Sequence, residues 1–115
     1  MPSTARASDL VPLDLDHLAR MTGGEKALER EVLELFLTQT SRIMATLADD
    51  PARAATLSHT LKGSARAIGA FRVADNAAVL ETAAGAGGDS DQALADLKQA
   101  VTEARDVIAA LLRQP

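Results

Sequence analysis

Leu57-Ser-His-Thr-Leu-Lys-Gly-Ser-Ala-Arg-Ala-Ile-Gly69 reads as a helix with two unlike sides. Leu57, Leu61, Ala65 and Ile68 recur at intervals of four, four and three, which is helical spacing. At about 100° per residue, His59 lies roughly 160° from the centre of that stripe. Gly63 lies about 40° from His59, Lys62 about 60° and Arg66 about 20°. A histidine belonging to a core would point with the leucines, and this one points away from them. A glycine one turn after it costs the helix about 1 kcal/mol relative to alanine. The outward face therefore carries a requirement stronger than helix propensity.

The neighbouring segments are helical as well. Leu13–Met21 is a short candidate ended by Gly23 and Gly24, and Glu25–Ala48 is a long one. Leu28, Val32, Leu35, Phe36, Ile43 and Leu47 are the expected apolar side of the long segment. Asp50 is placed to cap the next helix, with Pro51 at its first position, so Ala52–Ile68 is expected to be helical and Gly69 to end it. Phe71–Ala84 follows, with Val73, Ala77, Leu80 and Ala84 as one stripe. After the glycine-rich connection Gly85-Ala-Gly-Gly88, Asp89 and Gln92 have capping-box spacing. The last helix repeats Leu94, Leu97, Val101, Ala104, Ile108 and Leu111 at alternating threes and fours, the narrow seam that bundle packing needs. No segment alternates with period two. The expected fold is all-α: an up-and-down antiparallel four-helix bundle with a short extra N-terminal helix. Residues 1–11 are expected to form a flexible arm, and residues 12–113 a single domain.

Composition narrows the chemistry. The chain has 115 residues, enough for one core, and 47% of them are apolar. Only Phe36 and Phe71 are aromatic, so the core must come from Leu, Ile, Val and Ala. There is no cysteine, hence no disulfide and no thiolate metal site. Twelve Lys+Arg stand against 16 Asp+Glu with no basic stripe, which argues against nucleic acid as a partner. No apolar run is long enough to span a membrane, so a cytoplasmic, monomeric protein is expected.

An outward histidine on a rigid helix suits a phosphoryl acceptor, a metal ligand, a general base or an ordinary surface position. Metal is disfavoured because His17 is the only other histidine and sits on another helix; a plain helix residue is its expected status. A serine–histidine hydrolase is disfavoured because Ser58 and His59, adjacent on a helix, point about 100° apart. Lys62 can place positive charge beside the imidazole, and Gly63 removes a side chain where another protein could approach. Phosphoryl acceptor and unmodified surface residue both remain open on these grounds.

His59-Thr-Leu-Lys-Gly-Ser-Ala, running on to Ile68-Gly-Ala70, resembles the histidine-containing phosphotransfer (HPt) domains of multistep phosphorelays. Leu35-Phe36 in the preceding helix and Leu80-Glu81 in the following one also fit, and the likeness spans roughly Leu13 to Leu112. The resemblance implies a four-helix bundle whose His59 takes a phosphoryl group through Nε2 from a receiver-domain aspartyl phosphate and passes it on. Lys62 would assist electrostatically, Gly63 would admit the receiver, and Glu81 would bond Nδ1 where many members have glutamine. Arg66, Ser58 and Ser64 would contact the partner. The implied partners are the receiver domains of a hybrid histidine kinase and of a response regulator. No cofactor is expected on this chain, and Mg²⁺ would reside on the receiver. The resemblance makes the chain a phosphocarrier and not an enzyme in itself. The alternatives are a bundle that binds regulators without being phosphorylated, or a kinase dimerisation and phosphoacceptor fragment. Against the latter, Thr60 stands where an acidic residue typically follows the histidine, and no ATP-binding signature is present.

Overall fold

A computed structural model describes residues 11–115. The expected N-terminal arm lies outside the described residues except for Val11. Five α-helices follow one another: α1 (Leu15–Met21), α2 (Lys26–Asp49), α3 (Ala54–Ile68), α4 (Phe71–Gly85) and α5 (Asp91–Leu112). There is no strand among the described residues. Asp14 caps α1, its carboxylate accepting the His17 N–H at 3.0 Å. This is the side-chain capping that the first turn needs for its unpaired donors.

Of the two expected caps, the one at Asp50 does not form and the one at Asp89 forms without its box. The Asp50 side chain makes no capping bond; Pro51–Arg53 instead winds a single 3₁₀ turn, and α3 starts at Ala54, two residues late. Proline still stands at the first position of that turn, where its missing N–H costs nothing. At the start of α5, Asp89 accepts the Asp91 N–H at 2.9 Å, while Gln92 donates to Asp96 at 2.8 Å. No capping box results, because Gln92 points along the helix surface toward the residue one turn ahead.

The C-terminal part of each expected stripe is buried on α2 and α3, and the differences fall in their N-terminal halves. On α2 the interior takes Leu33, Phe36, Thr40, Ile43 and Leu47. Leu28 and Leu35 are exposed and Val32 is half-buried. α2 carries two adjacent apolar stripes, and only the one facing the other helices enters the core. On α3 the interior takes Ala54, Ser58, Leu61, Ala65 and Ile68, so Ser58 holds the place expected for Leu57. On α5 the fully enclosed residues are Ala93, Leu97, Ala100, Val101, Ala104 and Ile108, with Leu94 and Leu111 half-buried at the margin.

α3 packs on α4, α4 on α5, and α2 on both α3 and α5; α1 lies against α3. Ala65, Ala70, Ala74 and Ala77, all fully enclosed, line the extensive α3–α4 contact. Their small side chains let the backbones approach closely, and Leu61, Leu80, Leu97 and Ile108 fill the centre. Each of those larger side chains contributes about 1.5–3 kcal/mol by leaving water. No described helix is long and apolar enough to cross a membrane.

Two hydroxyls in this core, Thr40 Oγ1 and Ser58 Oγ, are buried without a hydrogen-bond partner. An unpaired buried hydroxyl carries a desolvation cost of about 1–3 kcal/mol. Thr40→Val keeps the shape and removes the polar atom, so it should raise the free energy of unfolding by about 1 kcal/mol. Urea denaturation of the variant against the parent measures this directly, and an unchanged or lowered midpoint would mean that the hydroxyl is satisfied in solution.

Candidate functional site

His59 sits in the middle of α3, and its side chain is 69% exposed. The ring is nevertheless held in place. Its Nδ1 lies 2.8 Å from Glu81 Oε2, which reaches across from α4. The other oxygen of the same carboxylate, Oε1, accepts from Lys62 Nζ at 2.6 Å. Lys62 is one turn along α3 from His59, so the carboxylate bridges two residues on the same helix face. The tight α3–α4 packing on alanines brings Glu81 within reach of both.

The electrostatics follow from that bridge. The Glu81 carboxyl is held below its usual value, first by the hydrogen bond from Lys62 and then by the one from His59. An ionised carboxylate only accepts hydrogen bonds, so the proton on the ring belongs on Nδ1. Nε2 is then the nitrogen with the free lone pair, and it has no hydrogen-bond partner among the described residues. This nitrogen is thus oriented and presented outward at once.

Gly63 is exposed, and a Cβ built there meets nothing within 4 Å. Nothing among the described residues requires glycine at this position. Gly69 is the opposite case: it ends α3 with φ +92°, and a Cβ there would lie 2.8 Å from the Asp14 carbonyl oxygen and 3.3 Å from His17. Its own carbonyl accepts from the Asp14 N–H at 2.9 Å, so the α3 terminus and the start of α1 are joined through this residue. His17 strengthens the joint by donating from Nε2 to the Ala67 carbonyl at 3.1 Å and meeting the Phe71 ring edge-on at 5.1 Å. It is a half-buried helix residue, as the sequence suggests, and the bond to Ala67 gives it a structural part.

Beside His59 runs an open groove of about 660 Å³ between α1, α2 and α3. Met21, Val32, Leu35, Thr60, Ser64 and Ala67 are among its lining residues, with Arg42 at its edge. Leu35, which lines this groove, is 63% exposed. The expected site residues thus divide. His59, Lys62, Gly63 and Glu81 come together, Ser64 borders the groove, and Arg66 is exposed in the last turn of α3. Ser58 has to be corrected: it is fully buried and cannot touch a docked partner. It lies about 100° from His59 on the wheel, which turns it into the core seam. The sequence does not mark these groove residues for the site: Leu35 on α2 reads as core until its neighbours are placed, and Met21 on α1 and Arg42 on α2 lie outside any motif.

Residues 31–111 match the Hpt domain family. The chain belongs to that family. Comparison with curated proteins and with solved structures gave no match. The matched span of the Hpt domain begins inside α2, later than the Leu13 suggested by motif resemblance, and contains every member of the histidine cluster. Hpt domains act in histidine phosphotransfer within phosphorelays, as phosphocarriers that interact with receiver domains.

Proposed function

We infer that the protein accepts a phosphoryl group on Nε2 of His59 from the aspartyl phosphate of one receiver domain and delivers it to the aspartate of another. The observation that carries this reading is the ring itself: mostly exposed, held by Glu81 at Nδ1, and open at Nε2. In the uptake step the Nε2 lone pair attacks phosphorus, and the bond from phosphorus to the aspartyl oxygen breaks. The electron pair of that bond leaves on the carboxylate. The receiver contributes Mg²⁺ and acidic residues, and this chain contributes the nucleophile, its orientation and a docking face. Glu81 positions the ring, and Lys62 holds Glu81 while adding a cation near the transferred group.

The four long helices form an up-and-down antiparallel bundle in this reading, supported by the packing of successive helices on each other and of α2 on α5. The groove bordered by Leu35, Met21 and Ser64 is the docking face, and Arg42 and Arg66 are suited to an acidic partner. Because one face must serve donor and recipient in turn, docking is transient. The protein works as a cytoplasmic monomer between a hybrid kinase receiver and a response regulator receiver.

The test is to mix the protein with Mg²⁺ and phosphorylated receivers and to map acid-labile, base-stable phosphate by peptide analysis. Label on His59 is expected, and label elsewhere or none at all would sink the proposal. Gly63 provides a separate check on docking. Gly63→Ala should stabilise the fold by about 0.5–1 kcal/mol, since the position is helical and open. Gly63→Leu should fold as well but slow transfer from the receiver by about tenfold or more, a loss of about 1.4 kcal/mol in the transition state. Transfer at the parental rate would show that the receiver does not approach over this position.

A further inference from the structure

The face of α2 turned away from the core carries a stripe of its own. Glu31, Leu35, Thr38 and Arg42 follow one another at intervals of four, three and four. They fall within about 60° of one another on the helix, roughly 150° from the centre of the buried stripe. All four are exposed, Leu35 by 63%. The stripe stands as a ridge between two open grooves of about 660 and 520 Å³, and Leu35 and Thr38 line both. Neither Glu31 nor Arg42 makes an ion pair among the described residues. Arg30, the cation next to Glu31 in sequence, is committed to the Leu112 and Gln114 carbonyls, so the acidic end stays uncompensated.

The spacing of this stripe is the same read in either direction, and its two ends are opposite in charge. When a second copy of the helix is laid antiparallel, with the two-fold axis midway between Leu35 and Thr38, Glu31 faces the partner's Arg42 and Arg42 faces the partner's Glu31. The same axis sets Leu35 opposite the partner's Thr38 and leaves the two leucines about 4.5 Å apart along the helix direction. Each ridge can then lie in a groove of the other. A parallel arrangement would set acid on acid and base on base, so charge selects the antiparallel one. We propose that this stripe of α2 is a self-complementary surface through which two copies of the chain form an antiparallel, two-fold dimer.

The dimer is weak and reversible. One helix face falls short of the about 1,600 Å² that stable complexes bury, and a permanently covered face would be more apolar than one bounded by Glu31 and Arg42. Exposed ion pairs add little each and are screened by salt. Leu35, Thr38 and Arg42 also line the groove beside His59, so the dimer covers the face that a receiver would use. The dimer is then a resting form and the monomer the form that transfers. That consequence rests on the docking face proposed above, whereas the dimer itself does not.

Sedimentation velocity of the full chain tests this with no receiver present, from about 20 µM to about 1 mM at low ionic strength. The weight-average coefficient should rise toward that of a dimer and fall back on addition of salt. Glu31→Arg and Arg42→Glu, each alone, place like charges at both contacts and should weaken association by about tenfold or more. Both positions are exposed, so each variant should keep the parental circular dichroism. Mixed in equal amounts, the two variants should associate with each other about as well as the parent does with itself. The arginine introduced at position 31 then meets the glutamate introduced at position 42, and the remaining Arg42 and Glu31 still pair. A chain that stays monomeric at every concentration, or a mixture that associates no better than its components, would overturn the proposal. Failure of every phosphorylated receiver to load His59 would instead remove the phosphocarrier reading and leave the dimer standing.

Discussion

His59→Gln is expected to abolish phosphoryl uptake entirely while leaving the fold and its stability nearly unchanged. The ring is mostly outside the protein, so its removal takes little apolar area out of the core. The local loss is the 2.8 Å bond to Glu81 at a solvent-exposed position, where screening by water leaves it a minor contribution. Glutamine has comparable length and can still donate to the carboxylate, which keeps the Glu81–Lys62 arrangement in place. It has no lone pair able to attack phosphorus at neutral pH, so no residual slow transfer is expected. The hydroxyl next in sequence, Thr60 Oγ1, donates to the Thr56 carbonyl at 3.2 Å. Phosphorylated receiver mixed with the variant should show no transfer of label over hours, with thermal denaturation and helical circular dichroism like those of the parent. Label retained in this variant would place the acceptor elsewhere.

Gly69→Ala should be the most damaging single change in the same stretch. Two costs combine. The backbone at φ +92° lies where a side chain costs about 1–2 kcal/mol. The new Cβ would also lie 2.8 Å from the Asp14 backbone oxygen, with His17 behind it at 3.3 Å. Backbone cannot swing aside as a flexible side chain can, so α1 must shift from the α3–α4 corner. The Asp14 N–H to Gly69 carbonyl bond and the His17 bond to Ala67 both depend on that seating. A loss of about 2–4 kcal/mol is expected, hence a fall in Tm of about 10 °C or more for a domain of this size. Calorimetry checks it, with Gly63→Ala as the control of opposite sign. Equal behaviour of the two alanine variants would mean that the α1 seat contributes little. Since Met21 of α1 lines the groove, Gly69→Ala should also weaken receiver docking even below its melting temperature.

The opposite roles of these two glycines show what could be read from the sequence and what could not. Gly69 after Ile68 has the pattern of a helix terminator, and its left-handed conformation follows from local geometry alone. Gly63 could be read as an anomaly within a helix, since its cost is local, but the open space around it is a property of the assembled surface. The helices themselves were evident from period and punctuation: every expected helix is present, with ends shifted by at most about two residues. The cap missing at Asp50, and the box that Gln92 does not complete with Asp89, show how far local rules reach. A capping residue chooses among several nearby donors, and small changes in the entering chain decide which one it meets.

The all-helical fold, the outward direction of His59 and the cluster of Lys62 and Gly63 beside it are legible in the order of residues alone. Each follows from helical spacing, which relates residues a turn or two apart. Tertiary structure decided the rest. It turned Leu33 and Ser58 inward and left Leu35 outside, because which of two adjacent stripes is buried depends on where the neighbouring helix lies. It also brought Glu81, twenty-two positions from His59, onto both the imidazole and the lysine. Spacing within one helix cannot place a group on the next; close α3–α4 packing on alanine does, and it gives the exposed histidine its fixed orientation.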